Sequence, residues 1–166
     1  MLLFIFCLGL TSQAQFSKAR LQATGLTCAL CSNAINKALL KLPFVKLVNA
    51  DIKNSAFDIN FRPDQEVGIA DLRKAVEDAG FFVGGLQLTG VFTDLKVGNE
   101  DKVRIGKNEI RFLETGKQTL NGEKTIRILN KEYVTAKEFK KMNAVIRSRL
   151  QRSEKEENGK VIHVTI

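Results

Sequence analysis

Two periodicities divide the first half of the chain into predicted strands and helices. Alternating apolar and polar residues predict four strands, at residues 18–23, 45–49, 56–61 and 83–88. Apolar residues at helical spacing predict one helix from Ser32, ended by Pro43, and a second from Ile69, capped by Gly80. The predicted order is βαββαβ, the ferredoxin-like arrangement, in which two helices cover one face of a four-stranded antiparallel sheet.

The pattern changes near Gly90, after which shorter strands and one long helix are predicted. The β-like runs lie at residues 91–92, 103–105, 109–113, 125–129 and 161–166. Between two of them, Asn121-Gly122 predicts a hairpin turn. Thr135 and Glu138 form a capping-box sequence at the start of one helix over residues 136–152. We therefore expect an α+β protein whose second part is β-rich with one long helix, an OB-like barrel being one option.

The N-terminal segment has the pattern of a secretory signal peptide. It carries no charge through Gln15, is apolar through Leu10, and has the small residues Ser12 and Ala14 before a cleavage point. About ten apolar residues are too few for a membrane-spanning helix, which needs roughly twenty. We expect a signal peptide at residues 1–14, and a periplasmic or secreted mature protein with no membrane span. The alternative is a buried N-terminal strand or helix. The mature chain divides into predicted domains at residues 15–89 and 90–166.

Positive charge is concentrated in the second half of the chain. Of 26 Lys/Arg and 18 Asp/Glu residues in total, residues 91–166 hold seventeen and eleven, which is +6 of the net +8. Most of the excess lies between Lys137 and Arg152. This pattern predicts either a solvated helix face or a docking patch for an acidic partner or anionic lipid. An exported protein does not meet nucleic acid, so we expect no nucleic-acid partner.

Cys28 and Cys31 carry the candidate chemistry. They lie between the first predicted strand and helix, in the run Gly25-Leu26-Thr27-Cys28-Ala29-Leu30-Cys31. Thiolates are soft ligands that select Cu(I), Zn(II) or similar ions over Mg or Ca. Two of them suffice for near-linear Cu(I) or Hg(II), whereas structural zinc takes four ligands. The same spacing also suits a dithiol–disulfide oxidoreductase or a structural disulfide.

This run matches, with Leu26 in place of methionine, the Gly-Met-Thr-Cys-x-x-Cys signature of the heavy-metal-associated domain family, which includes copper chaperones. Residues 16–89 also resemble the family in their βαββαβ order and in Asp78-Ala79-Gly80-Phe81, similar to the family's ending of the second helix. The resemblance implies that Cys28 and Cys31 bind Cu(I), with Hg(II), Zn(II) or Cd(II) as other candidates. It further implies a metal-donor or metal-acceptor protein as partner, Leu26 packed under the loop, and Phe81 beside the site.

No catalytic constellation accompanies the two cysteines, so we expect a non-enzyme that binds metal for trafficking or sequestration. One alternative is an oxidoreductase that uses the same cysteines, although the chain has no Trp for a Trp-Cys start. The other is an adaptor that acts through its basic second part. Three other features have structural interpretations. His163, the sole histidine, is expected to be a half-exposed strand residue and not a third ligand, Tyr133 a core aromatic, and the acidic residues at 154, 156 and 157 a solvated turn.

Overall fold

The computed structural model describes residues 14–26, 29–157 and 160–166. The predicted signal peptide, residues 1–14, lies outside these ranges except for Ala14, and it stays a prediction.

The first half of the chain has the predicted βαββαβ order, and the α+β, ferredoxin-like prediction is confirmed. Its elements are strand β1 (Gln15–Thr24), helix α1 (Ala29–Leu40), strands β2 (Val45–Asp51) and β3 (Ala56–Phe61), helix α2 (Ile69–Asp78) and strand β4 (Phe82–Val97). β1 lies between β3 and β4, antiparallel to both, and β2 is antiparallel to β3.

Helices α1 and α2 cover one face of these strands because their apolar stripes meet alternate strand residues. Leu21 of β1, Ile35 of α1 and Leu72 of α2 are all fully buried in the main core. The intervening strand residues, such as Arg20 and Gln22, lie on the opposite face and are partly or fully exposed. In this half of the molecule the sheet therefore has one covered and one open face.

Strand β4 connects the strands of the first half with those of the second half in one sheet. It is 16 residues long and pairs with β1 along its first part and with β7 (Gln118–Ile128) from Gln87 to Val97. The result is one eight-stranded sheet, in the order β2-β3-β1-β4-β7-β8-β6-β5. The remaining strands are β5 (Lys102–Ile105), β6 (Asn108–Phe112) and β8 (Val161–Thr165), and β6 and β8 pair in parallel.

The second half is therefore a continuation of an open mixed sheet with edges at β2 and β5, and the OB-like option is wrong. Residue 90, the predicted start of the second domain, lies inside β4. The division into domains at residues 15–89 and 90–166 stays a prediction.

The predicted helix over residues 136–152 is two helices, α3 (Ala136–Lys141) and α4 (Ala144–Glu157). The capping box is confirmed, because the Glu138 N–H donates to Thr135 Oγ1 at 3.2 Å. Met142 then adopts an extended conformation, with ψ 149°. Asn143 Oδ1 accepts a hydrogen bond from the Val145 N–H at 2.9 Å, as N-cap residues do. Asn143 therefore starts a new helix.

The pair Asn121-Gly122 lies within β7, and the predicted hairpin turn is wrong. Thr93 and Asp94 of β4 together face Asn121, because the register shifts between Phe92 and Leu95. Asn121 Oδ1 accepts a hydrogen bond from the Asp94 N–H at 2.7 Å, and Gly122 has φ +73°. The extra residue of this β-bulge lies in β4, where Asp94 also has a positive φ of 50°, and the left-handed Gly122 pairs with Phe92 directly beside it.

Helix α4 covers the face of the sheet that is open in the first half. Ile146 and Leu150 of α4 pack with Leu113 and Leu129 in a small second core. Phe112, the strand residue before Leu113, belongs to the main core on the other face. β6 and β8 are therefore covered on both faces. No helix in the described ranges is long and apolar enough to cross a membrane.

Candidate metal centre

Cys31 lies in the first turn of α1, which begins three residues before the predicted start at Ser32, and its side chain is partly exposed. The first turn of this helix contains no acidic residue. The partial positive charge of the helix start is therefore not offset by a carboxylate there, which favours an anionic group such as a thiolate. Cys28 lies outside the described residues, so its placement beside Cys31 stays a prediction.

The loop before the cysteines turns at Gly25, which has φ +85°. A Cβ at Gly25 would lie 3.9 Å from Phe81 Cδ1, so the Phe81 ring lies beside this loop. Leu26 is partly buried and packs against the main core, as does Phe81. Both residues have the placement that the family resemblance implies. Gly25 allows the turn because residues with a Cβ rarely adopt this conformation.

The end of α2 fixes the position of Phe81. Gly80 has φ +88°, its N–H donates to the Glu77 carbonyl at 2.9 Å, and the Phe81 N–H donates to the Val76 carbonyl at 3.1 Å. These two bonds form a Schellman motif, which ends the helix and directs the next residue back across it. The predicted cap at Gly80 is confirmed, and through it the Phe81 ring meets the cysteine loop.

Three exposed apolar side chains lie at the same end of the sheet. Leu30, between the two cysteines, is 80% exposed, Phe82 is 69% exposed, and Ile52 is 60% exposed. Ile52 begins a 3₁₀ turn, and the following Ser55 carbonyl accepts a hydrogen bond from the Ala23 N–H at 2.9 Å. The hydrophobic pattern of the sequence did not predict this apolar rim. The available signal was that Leu30 and Phe82 fall outside the buried stripes of their elements.

His163 lies on β8 and is 1% exposed, so the prediction of a half-exposed residue is wrong. The reason is α4, which covers the face on which the side chain lies. β8 pairs with β6 and β7 and not with the strands nearest Cys31. Among the described residues, no group of three or more His, Cys, Asp or Glu side chains is placed to hold a metal ion. Tyr133 is 3% exposed, so its prediction as a core aromatic is confirmed.

Glu157 is the last residue of α4, and for this residue the prediction of a solvated turn is wrong. Its carboxylate accepts hydrogen bonds from Lys102 and Ser153, and from Arg111 Nη2 at 3.0 Å. Burial opposes ionisation of Glu157, but these hydrogen bonds and the charge of Arg111 outweigh it and lower the pKa to about 2. Glu154, by contrast, is exposed.

Comparison with known proteins identifies relatives of the first half of the chain. Residues 20–82 match the family model of the heavy-metal-associated domain. The probable copper-transporting ATPase HMA5 of Arabidopsis thaliana is 35% identical over 65 residues, which are 39% of this chain and 6% of the ATPase. This chain therefore matches only about 6% of the length of its curated relatives.

Two solved structures are similar over the same region. A copper binding domain from HMA7, a P-type ATPase, is 34% identical, with 39% of this chain and 86% of that chain covered and a TM-score of 0.36. The CopZ metallochaperone is 25% identical, with 40% and 98% covered and a TM-score of 0.38. The family match, the βαββαβ order and the cysteine loop at the start of α1 identify residues 20–82 as a heavy-metal-associated domain.

Proposed function

We propose that this protein binds a soft metal ion, above all Cu(I), through Cys28 and Cys31, and exchanges it with a partner protein. The observation that carries the proposal is the position of Cys31 in the first turn of α1, inside a domain that matches the heavy-metal-associated model. Two thiolates at a helix start suit Cu(I), which accepts few, soft ligands. The relatives named as copper-transporting ATPases support the choice of copper. Hg(II), Zn(II) and Cd(II) are weaker candidates.

Direct exchange between proteins fits the surroundings of the loop. Cys31 is partly exposed, and Leu30, Ile52 and Phe82 present apolar surface at the same end of the sheet. A partner that packs against this rim would bring its own thiolate to the ion. The incoming thiolate binds before one of the two cysteines leaves, so the ion is not released into water. The protein acts in this proposal by binding, and catalyses no covalent change.

We place this activity outside the cytoplasm, because residues 1–14 have the pattern of a signal peptide. An oxidising compartment favours a disulfide between Cys28 and Cys31. Metal binding there requires the pair to be kept reduced, or the metal to reach the thiols first.

The test is anaerobic titration of the reduced full chain with Cu(I) in the presence of a chromophoric Cu(I) chelator. We expect one ion per chain in the wild type, and loss of chelator-resistant binding in the double variant Cys28→Ser, Cys31→Ser. Cys7→Ser is the matched control, since it removes the third cysteine of the chain, and it should bind as the wild type does. Unchanged stoichiometry in the double variant would contradict the proposal. Insulin reduction without Cu(I) binding would favour the oxidoreductase instead.

A further inference from the structure

A pocket lies in the second half of the molecule, between α4 and the strands β6 and β8. It has a volume of about 450 Å³, within the range of pockets that hold small organic ligands. Three of its lining residues are arginines. The residues that line it are Glu100, Arg111, Leu113, Arg149, Arg152, Ser153 and His163.

His163 and Arg111 bring unpaired nitrogen atoms to this pocket. They are direct neighbours in the parallel pair of β6 and β8. Arg111 Nε and the ring nitrogens of His163 are buried and make no hydrogen bond of normal geometry among the described residues, although the Val161 carbonyl lies close enough to the imidazole to raise its pKa. The His163 residue as a whole is 1% exposed. Buried polar atoms in proteins nearly always have a protein or water partner, so unsatisfied nitrogens from two neighbouring strands beside one pocket point to a polar group bound there.

Hydrogen bonds on both sides hold the backbone of His163 in its strand. The His163 N–H donates to Asn130 Oδ1 at 2.6 Å, and the His163 carbonyl accepts from the Leu129 N–H at 2.9 Å. Asn130 Nδ2 in turn donates to the Val161 carbonyl at 3.0 Å. The backbone of His163 is therefore fixed in its strand, and the 1% exposure of the residue leaves the ring enclosed under α4.

The charges around the pocket favour an anion. Arg111 reaches Glu157 through Nη2 at 3.0 Å, which leaves its Nε–H for another acceptor. Arg149 Nη1 lies 3.0 Å from Glu100 Oε1 at the rim. With Arg152, the lining carries three positive charges against the one negative charge of Glu100, and Glu157 beside the pocket offsets part of the charge of Arg111.

We propose that this pocket binds a small oxyanion of the phosphate class, either inorganic phosphate or a phosphomonoester. Its oxygens accept hydrogen bonds from Arg111 Nε–H and from one N–H of His163, while Arg149 and Arg152 contribute charge from α4. Charge-assisted bonds of this kind are the usual means of holding phosphate. The site is independent of the cysteine loop and of the metal function.

Binding of an anion changes the protonation of His163. Burial, and then the charge of Arg111 on β6, lower its pKa to about 4, Lys102 on β5 acts in the same direction, and Glu157 on α4 and the Val161 carbonyl oppose them. The imidazole is thus neutral at pH 7 and can donate one N–H. A bound oxyanion adds negative charge beside the ring, and so it raises the pKa of His163.

Because His163 is the only histidine, its ring resonances report on the pocket without assignment. The experiment titrates the full chain with inorganic phosphate at constant ionic strength, with chloride as the replacement anion, and follows the imidazole signals by NMR. We expect a saturable shift of these signals and a higher pKa of His163 with phosphate than with chloride. Arg149→Ala and Arg152→Ala should each weaken binding about threefold, the loss expected for a partly solvated opposite charge.

Lys155→Ala is the matched control, since Lys155 is exposed on the same helix and does not line the pocket. It removes the same charge and should leave the affinity unchanged. The absence of a saturable shift overturns the proposal, and so does an equal loss of affinity in all three variants. A second arm adds glycerol 3-phosphate to the phosphate complex. Displacement assigns the pocket to phosphomonoesters as well, and failure to displace limits it to free phosphate.

Discussion

The two halves of the molecule share one sheet, but they cover it differently. In the first half, α1 and α2 cover one face, and Arg20 on the open face has a side chain that is 38% exposed. In the second half, α4 covers the other face too, and His163 on that face is 1% exposed. Polar residues on the open face can bond to water, whereas those under α4 need partners inside the protein or a ligand.

The same contrast separates the two candidate sites. Cys31 lies at the end of the sheet, in the first turn of a helix next to a loop, where a partner protein can reach it. His163 lies within a strand and under a helix, where only a small molecule fits. The first arrangement suits rapid exchange of an ion between proteins. The second suits selective binding of a ligand that is enclosed by fixed groups.

The largest expected change in the free energy of unfolding comes from a mutation that tests whether the two halves unfold as one unit. Ile126 of β7 faces Leu88 of β4 at the junction, and both are fully buried. Ile126→Ala removes buried apolar volume and should lower the free energy of unfolding by about 3 kcal/mol. Urea denaturation should show one transition, with Tyr133 fluorescence reporting on the second half. Labelling of Cys31, in a chain with the other two cysteines changed to Ser, reports on the first half.

Val91→Ala is the control for this comparison. Val91 lies on β4 in the same strand pair but is 52% exposed, so the change should cost less than about 0.5 kcal/mol. Two separate transitions, with only the Tyr133 signal shifted by Ile126→Ala, would show independent domains and contradict the single unit.

The pH dependence of stability should distinguish the covered face from the open one. The pKa of His163 is about 4 in the folded state, below its ordinary value of 6.5. Its contribution to stability is therefore complete above pH 6.5 and is lost as the pH falls towards 4. Relative to His163→Leu, the wild type should lose about 2 kcal/mol between pH 7 and pH 4.5, measured by urea denaturation in phosphate-free buffer. Glu157, with its pKa lowered to about 2, loses its contribution only below about pH 4.5. Equal losses in the two proteins would show that His163 is already protonated, or solvated, in the folded state.

The first half was predictable because local sequence signals mark where its helices and strands begin and end. Pro43 and Gly80 end the helices for reasons that are local to the backbone, and period-two alternation describes a sheet with one open face. The position of Phe81 followed from the family resemblance, and the turn at Gly25 follows from the conformational freedom of glycine. The exposure of Leu30 and Phe82 was not predicted: both residues fall outside the buried stripes of their elements, but a local pattern does not show which such residues the rest of the fold leaves uncovered.

The second half was less predictable because its structure depends on contacts between distant segments. Asn121-Gly122 suits a hairpin and a bulge equally well by local conformation, and the pairing with β4 decides between them. Asn143 fits the helical spacing of its neighbours, and only its hydrogen bond to Val145 shows that it begins a new helix. The alternation around His163 correctly places Ile162 and Val164 in the core, but it cannot show that α4 covers the other face.

The position of Phe81 beside the cysteine loop depends on Gly80. Replacing Gly80 should change the free energy of unfolding by an amount intermediate among these predictions. No atom lies within 4 Å of a Cβ at Gly80, so Gly80→Ala costs only the strain of φ +88°, about 1 kcal/mol. The relaxed cap should also displace Phe81 and raise the rate of thiol labelling at Cys31. Gly116→Ala is the matched control, since Gly116 has φ +63° and similar open space but lies in the second half. It should lose the same stability without any change in labelling. Equal labelling rates in the two variants would show that Phe81 does not shield the loop.

The smallest effect is expected on the open face, where Arg20 pairs with two carboxylates. Its guanidinium donates to Asp58 at 2.7 and 2.8 Å and to Asp51 at 2.8 Å, and these hydrogen bonds raise the pKa of Arg20. Solvent screens this network, so Arg20→Met should cost only about 0.5 kcal/mol in urea denaturation at low salt, and less in 1 M NaCl. A cost of several kcal/mol that persists in salt would show that this face is not open in solution. It would then have to be covered by another part of the chain or by a second molecule, and the contrast with the face under α4 would no longer hold.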